Sequence, residues 1–438
     1  MSTAPKKELT LLDSTCLIVG IIIGAGIYAT PPDVARGVAA AWQVPLIWLA
    51  GGLLTLCGAL SYAELATAYP QQGGDYVYLS RAYGRWAGFL FGWIQLTIVR
   101  PADIAVPAFV FAKYAGRIVD LPGGYDDRAY AALAVIALTA INIVGVRQGK
   151  WTQNLLTVAK TAGLLLIVFV AFSAVRGPQV AVVRTGFPPL TVAFIFVLYT
   201  FGGWNEMAYV AAEVKNPQRN IVRALVLGSV AVTAVYVLVN LALMYALSYG
   251  GLANSSAVAT DAIATAFPAH AAEILIAVLI CVSALGGVNG LIFTGARISY
   301  AVGADHRVFR LLGRWSGKTG TPVMALQLQG LLALLLVVVF DSFDEPIIYC
   351  AAAVYTFYMA TGLAVFVLRG KDRDRPRPYR VALYPLPTIL FVGVCAFMIY
   401  GAVTYKPRMA LLAGGIVLVG LIVYWVAEWM AKRPAERR

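Results

Sequence analysis

The sequence predicts an all-α polytopic membrane protein with twelve transmembrane helices. Three observations predict it: the composition, the spacing of the apolar runs, and the placement of the basic residues. Of 438 residues, 60% are hydrophobic and 13% charged, and the mean hydropathy is +0.78. Soluble domains run nearer half apolar and a quarter charged, so this composition excludes an ordinary water-soluble enzyme and a disordered chain. A span uses about 20 apolar residues; twelve use about 240, which leaves short loops and no separate soluble domain.

Apolar runs place the helices at 14–38, 44–69, 86–113, 129–146, 152–174, 190–212, 221–247, 271–303, 322–340, 346–368, 383–403 and 408–430. The leading MSTAPKKE carries a short basic stretch and runs straight into apolar sequence without a small-residue cleavage site. It reads as an uncleaved first span and not as a removable signal peptide. The whole chain, 1–438, reads as one transmembrane domain, with five spans over 14–174, five over 190–368 and two more over 383–430.

The net charge of +13 is a statement about topology and not about nucleic acid. With the N-terminus inside, the inner loops collect 24 of the 34 Lys and Arg, the outer loops 8, and two, Arg100 and Lys160, fall within spans. That bias predicts both termini in the cytoplasm of a multi-pass cell-membrane protein, the inner membrane in a Gram-negative bacterium. The basic run RGKDRDRPRPYR at 369–380 is chiefly inner-loop charge, with anionic lipid as a second reading.

Cys16, Cys57, Cys281, Cys350 and Cys395 all lie in apolar segments, without metal-ligand spacing. The two histidines, His270 and His306, lie in or beside loops. No metal site, cofactor or histidine-based proton relay is expected.

Two helices do not read as continuous. The first span contains Gly20-Ile21-Ile22-Ile23-Gly24-Ala25-Gly26-Ile27-Tyr28, followed by Thr30-Pro31-Pro32. The sixth contains Leu198-Tyr199-Thr200-Phe201-Gly202-Gly203-Trp204-Asn205-Glu206. Glycine costs about 1 kcal/mol per residue in a helix relative to alanine, and paired glycines let a helix unwind. Unwound backbone has N–H and C=O groups that lipid cannot satisfy. Close helix packing is the alternative use of such glycines. Their equivalent positions, first and sixth in two sets of five, favour an inverted repeat with a site at the midplane. The half-helix starting at Gly26 and Ile27 offers bare N–H groups to a carboxylate. Carbonyls freed around Ile22 and Tyr199 to Phe201 suit an ammonium. A site with both faces fits an α-amino acid.

Six segments carry a resemblance to a known family: GIIIGAGIYATP, SYAELATAYPQQGGDYVYL, RPADIAVPAFVFAKY, TVAKTAGLLLIV, YTFGGWNEMAYVAAEVKNPQRN and GGVNGLIFTGARISYAVGADHRVF. In this order they resemble the L-amino-acid transporter family of the amino acid–polyamine–organocation superfamily, over roughly residues 10 to 405. The resemblance implies a twelve-helix, five-plus-five inverted-repeat (LeuT-like) fold with discontinuous helices 1 and 6, and sodium-independent amino-acid transport, usually by exchange. It places the substrate carboxylate on the backbone of Ala25, Gly26 and Ile27, with Gly24 also in the substrate site. It places the amine on carbonyls of Ile22, Tyr199 and Phe201 or Gly202, with Thr200 in the pocket, Tyr199 closing over the substrate and Asn205 as a polar wall. Three departures stand out. Ala25 replaces the usual serine, which removes a hydroxyl that could bond the carboxylate. Tyr199 stands where phenylalanine is common. The loop from Tyr114 to Tyr130 lacks the cysteine of members that pair with a glycoprotein, so no disulfide-linked heavy subunit is expected.

Lys160 lies nine residues past Trp151, about 13.5 Å along a helix at 1.5 Å per residue, near the middle of a hydrocarbon layer of about 30 Å. It cannot easily snorkel out. Its ammonium is expected to pin the freed carbonyls of helix 1, where sodium-coupled relatives of this fold hold a cation; proton coupling is a second role. Arg100 and Asp103 are spaced to pair on one helix face. Glu206 reads as a capping or gating carboxylate with access to water, Asn289 as an interhelical hydrogen-bonding residue, and Glu64 as solvated.

The expected function is alternating-access transport of neutral L-amino acids, with helices 1, 2, 6 and 7 rocking against 3, 4, 8 and 9 as the resemblance implies. A cationic amino-acid, polyamine or proton-coupled carrier is the alternative, favoured if Glu206 or Asp103 faces the cavity. An enzyme is not expected: a membrane enzyme needs catalytic constellations that two loop histidines do not supply. The partners expected are small L-amino acids and the bilayer.

Overall fold

A computed structural model describes residues 5–119, 127–182, 190–339, 344–405 and 407–432. The stretch 120–126, part of the loop read for its missing cysteine, lies outside the described residues. All twelve apolar runs coincide with helices. The described residues contain nine helices long and apolar enough to cross a membrane, and two shorter apolar ones, Val323–Val339 and Gly414–Trp429.

The first run divides into α1 (Leu11–Ile22), α2 (Gly26–Ala29) and α3 (Pro31–Arg36), and the second is α4 (Gln43–Ala68). Thr10 caps α1. Its amide donates to Asp13 Oδ2 at 2.9 Å and its hydroxyl accepts the Asp13 amide at 3.2 Å, a capping box that fixes where the helix begins. A short helix not read from the sequence, α5 (Asp75–Tyr83), precedes α6 (Arg85–Ile94). A π-helical turn over Gln95–Val99 connects α6 to α7 (Arg100–Ile118). The wider turn sets residues five apart over one another, so Arg100 Nε donates to Gln95 Oε1 at 2.9 Å. Then come α8 (Asp127–Val144) and α9 (Val146–Ser173).

The sixth run begins as α10 (Leu190–Thr200) and continues as a 3₁₀ helix, Trp204–Glu213. Ten residues of 3₁₀ geometry are unusual, and such stretches often mark hinges. The remaining helices are α11 (Pro217–Asn254), α12 (Val258–Ala264), α13 (Ala269–Asp305), α14 (Val323–Val339), α15 (Asp344–Lys371), α16 (Leu386–Tyr405) and α17 (Pro407–Lys432).

The broken segments lie at the centre. α1 packs on α9, α11 and α13, while α13 runs along α7 and α11 along α4. Close approach depends on small residues: a Cβ on Gly20 would lie 2.1 Å from Thr157 Oγ1, and one on Gly228 2.7 Å from Ile18 Cγ2. The N-terminal segment is tied down too. The Leu9 amide donates to Glu213 O at 2.9 Å and the Lys215 amide to Leu9 O at 2.8 Å. These bonds clasp the start of α1 to the far end of the sixth segment.

Several charged residues differ from the sequence reading. Glu64 is 1% exposed and not solvated. It accepts from Arg369 Nε at 2.8 Å, Arg369 Nη2 at 2.5 Å and the Val381 amide at 2.8 Å. In the 369–380 run, Lys371, Arg373, Arg375 and Arg380 are exposed, while Arg375 also caps Ala68 O at 2.9–3.0 Å and Arg377 Nη2 caps Leu368 O at 2.8 Å.

Candidate functional site

Both expected breaks are present. α1 stops at Ile22 and helical structure resumes at Gly26. α10 stops at Thr200, and the 3₁₀ segment starts after Gly203. Gly203 has φ +94°, and Ile21 Cγ2 lies 2.4 Å from where its Cβ would be. Only glycine takes that left-handed turn against the first segment without strain.

The backbone groups released at the breaks divide into those the protein satisfies and those it leaves open. Lys160, 0% exposed, donates from Nζ to Gly20 O at 2.8 Å, Ile23 O at 2.9 Å and Ser283 O at 2.8 Å. The ammonium's three donors are all used, and they tie α9 and α13 to the end of α1. Ser283 Oγ adds a second bond to Ile23 O at 3.0 Å. Tyr236 of α11 donates to Ile22 O at 2.9 Å and lies 3.3 Å from Thr200 O, so one hydroxyl spans both breaks. Ile22 O also accepts the Gly24 amide at 2.8 Å. Tyr236 was not singled out by the sequence, because nothing local marks a tyrosine in a long apolar helix.

Among the described residues, the amides of Ala25, Gly26 and Ile27 and the carbonyls of Phe201 and Gly202 make no hydrogen bond. They are part of the set expected to face a zwitterion; the Tyr199 carbonyl, expected to hold the amine, already accepts the Gly202 amide at 2.9 Å. Gly24, Ala25 and Gly26 are part-exposed, Gly202 is exposed and Tyr199 is 45% exposed, whereas Phe201 is buried against Trp48 and Tyr236. The two upper half-helices touch through threonines: Thr30 Oγ1 and Thr200 Oγ1 are 3.3 Å apart, and Thr200 also donates to Phe196 O at 2.7 Å.

Below the breaks the sixth segment is locked by polar bonds. Asn205 is fully buried, donating to Tyr209 Oη at 2.8 Å and accepting from Tyr358 at 3.0 Å. Glu206 neither caps at the surface nor reaches water: it is 3% exposed and takes both Arg100 Nη1 at 3.0 Å and Nη2 at 2.8 Å. Thr294 of α13 donates to the same carboxylate at 2.5 Å. Arg100 therefore pairs with Glu206 and not with Asp103. Glu213 forms a similar pair with Arg297, at 2.9 and 3.1 Å, with both side chains 0% exposed. Asn289 is an interhelical linker as read, accepting from Asn142 at 2.8 Å and donating to Gln153 Oε1 at 2.9 Å and Gly149 O at 3.1 Å. Among the described residues no cluster of His, Cys, Asp or Glu could hold a metal. His306, just past α13, is enclosed by Phe89, Tyr76 and Tyr424, and burial beside Arg85 holds its imidazole below the ordinary histidine value.

Residues 9–427 match the family model described as amino acid permease. The chain is 31% identical over 455 residues to the b(0,+)-type amino acid transporter 1 of Mus musculus, covering all of this chain and 92% of that one. It is 32% identical over 439 residues to a serine/threonine exchanger of Bacillus subtilis, covering 98% of each. It is 30% identical over 455 residues to the large neutral amino acids transporter small subunit 2 of Mus musculus, covering 98% of this chain and 83% of the other.

Proposed function

The chain belongs to the amino acid permease family, and from that premise we propose that it exchanges neutral L-amino acids across a cell membrane by alternating access, without sodium. The observation that carries the substrate class is the set of unpaired main-chain groups where the two interrupted helices meet. The three open amides at Ala25, Gly26 and Ile27 lie at a helix start, where partial positive charge favours a carboxylate. The carbonyls of Phe201 and Gly202 are open for the ammonium. The Ile22 carbonyl, also assigned to the amine, already accepts two hydrogen bonds, so substrate there shares it with Tyr236. Tyr199 closes over the substrate, and Asn205 shapes the site through its two tyrosines.

Sodium independence is supported by Lys160, whose ammonium meets the three carbonyls that a cation would otherwise draw together. A preference for neutral side chains is supported by the Arg100–Glu206 pair, which neutralises one of the two carboxylates, Glu206 and Asp103, that could meet a cationic side chain. In this reading the chain has twelve spans in a five-plus-five inverted repeat, cytoplasmic termini and no disulfide-linked heavy subunit. The exposed Tyr199 and Gly202 above a sealed lower half correspond to an outward-facing state.

Counterflow in proteoliposomes tests the proposal. Vesicles preloaded with unlabelled alanine or leucine should take up labelled substrate strongly, empty vesicles weakly, and sodium should make no difference. Sodium stimulation, or uptake driven only by preloaded arginine, would overturn it.

A further inference from the structure

A buried carboxyl group outside the substrate site is bonded unevenly. Asp75 opens α5 at 0% exposure. Its Oδ1 accepts the hydroxyls of Tyr62 from α4 and Thr361 from α15, the latter at 2.5 Å. Its Oδ2, equally buried, has no hydrogen-bond partner. Among the described residues no Lys, Arg or His pairs with Asp75, although Glu64, Glu206 and Glu213 each take an arginine.

An ionised carboxylate spreads its charge over two equivalent oxygens and needs donors at both. A carboxylic acid is lopsided: its carbonyl oxygen accepts, and its hydroxyl oxygen carries a proton to donate. Oδ1, with two hydroxyls on it, fits the first role, and Oδ2 the second, with the Tyr209 hydroxyl oxygen within reach to accept. The start of α5 favours an anion at this position, but a helix end offsets little of the penalty for an uncompensated charge removed from water.

The titratable groups around it do not supply the missing cation. α4 contributes Tyr62, the 3₁₀ segment Tyr209, α15 Tyr358, α16 Cys395 and α5 itself Tyr78. From α6 and α13, Arg85 and Asp305 are engaged elsewhere: Tyr76 donates to Asp305 Oδ2 at 2.8 Å, and Arg85 Nη2 to Asp305 O at 3.0 Å. The Arg100–Glu206 pair stands beyond Tyr209, over whose ring the guanidinium lies at 5.0 Å. Asp75 is nonetheless connected to the substrate site. Asn205 donates to Tyr209 Oη at 2.8 Å, and the Tyr209 hydroxyl in turn lies within reach of the Asp75 carboxyl.

We propose that Asp75 is a proton-binding site: it is a neutral carboxylic acid in this conformation and releases its proton to water when movement of the sixth segment opens the lower half of the protein. The acid O–H bond breaks, the proton passes to the entering water, and the carboxylate that remains is hydrated. Coupling of that proton to transport rests on the proposed exchange function; the protonation itself does not.

The test uses the full-length protein in lipid nanodiscs. The infrared difference spectrum of wild type minus Asp75→Asn at neutral pH should show the carbonyl stretch of a protonated carboxyl, shifted by deuterium exchange. Thr361→Val should keep that band and move it to higher frequency, because a carbonyl relieved of a hydrogen bond vibrates faster, and this covers the case in which Asp75→Asn does not fold. No protonated-carboxyl band at Asp75 would overturn the proposal. In proteoliposomes, the conformational balance of wild type should change about tenfold per pH unit beyond the titration of the opened state, so exchange should depend on pH, and Asp75→Asn should flatten the profile. The same profile in both proteins would refute the coupling. A band without any amino-acid exchange would refute the transport reading and leave the proton site standing.

Discussion

Arg100 and Glu206 join the third membrane segment to the lower half of the sixth through two parallel hydrogen bonds, 3.0 and 2.8 Å long, with both side chains 3% exposed. A buried pair of this kind is costly to break from one side, because the remaining charge has no solvent. Arg100→Met or Glu206→Gln alone should destabilise the protein by about 3–5 kcal/mol, read as a lower melting temperature in detergent. The double variant should lose less than the sum of the two. Additive losses would mean that the pair does not act as a unit.

Lys160 can be displaced without being mutated. A Cβ on Gly286 would lie 2.6 Å from Lys160 Nζ, so Gly286→Ala should push the ammonium off its carbonyls. Counterflow should fall at least tenfold, as for Lys160→Ala, with the protein still folded by size-exclusion chromatography. Wild-type uptake in either variant would remove Lys160 from the mechanism.

Ala25 tests the carboxylate side of the site. Ala25→Ser returns a hydroxyl beside the open amides. One added hydrogen bond, about 0.5–1.5 kcal/mol, should lower the KM for alanine roughly two- to tenfold. Tyr199→Ala should raise KM and Tyr199→Phe should change it little, since the ring and not the hydroxyl is expected to close the site. An unaltered KM in Ala25→Ser would place the carboxylate elsewhere.

His306 gives a pH dependence of stability. Burial depresses its native value below the ordinary one of about 6.5. In the window between the two, the unfolded chain carries a proton that the native chain does not, so stability rises with pH through the window. It should therefore be lost as the pH falls below about 6.5, and His306→Phe should flatten that part of the melting-temperature profile. An unchanged profile would assign the acid sensitivity to another group.

The sequence made the helices legible because lipid imposes one requirement, an apolar run of sufficient length, on each of them. Lys160 was legible for the same reason: depth along a helix is arithmetic, and few groups can satisfy an ammonium at that depth. Partners were not. Arg100 has an acid three residues away in Asp103, yet it reaches Glu206, 106 positions along the chain. Glu64 looked solvated beside a loop until Arg369, 305 positions on, folded over it. α5 was missed because its mean polarity resembles a loop, and with it Asp75. Spacing reports what shares a helix face; it carries no information about which helices become neighbours.

The isolated bridge between Leu9 and Val214 has a practical consequence. It fastens the leading segment to the far end of the sixth, so any conformation that parts the two must first break these bonds. A bulky fusion placed ahead of Leu9 would load this fastening, and a purification handle belongs at the opposite terminus.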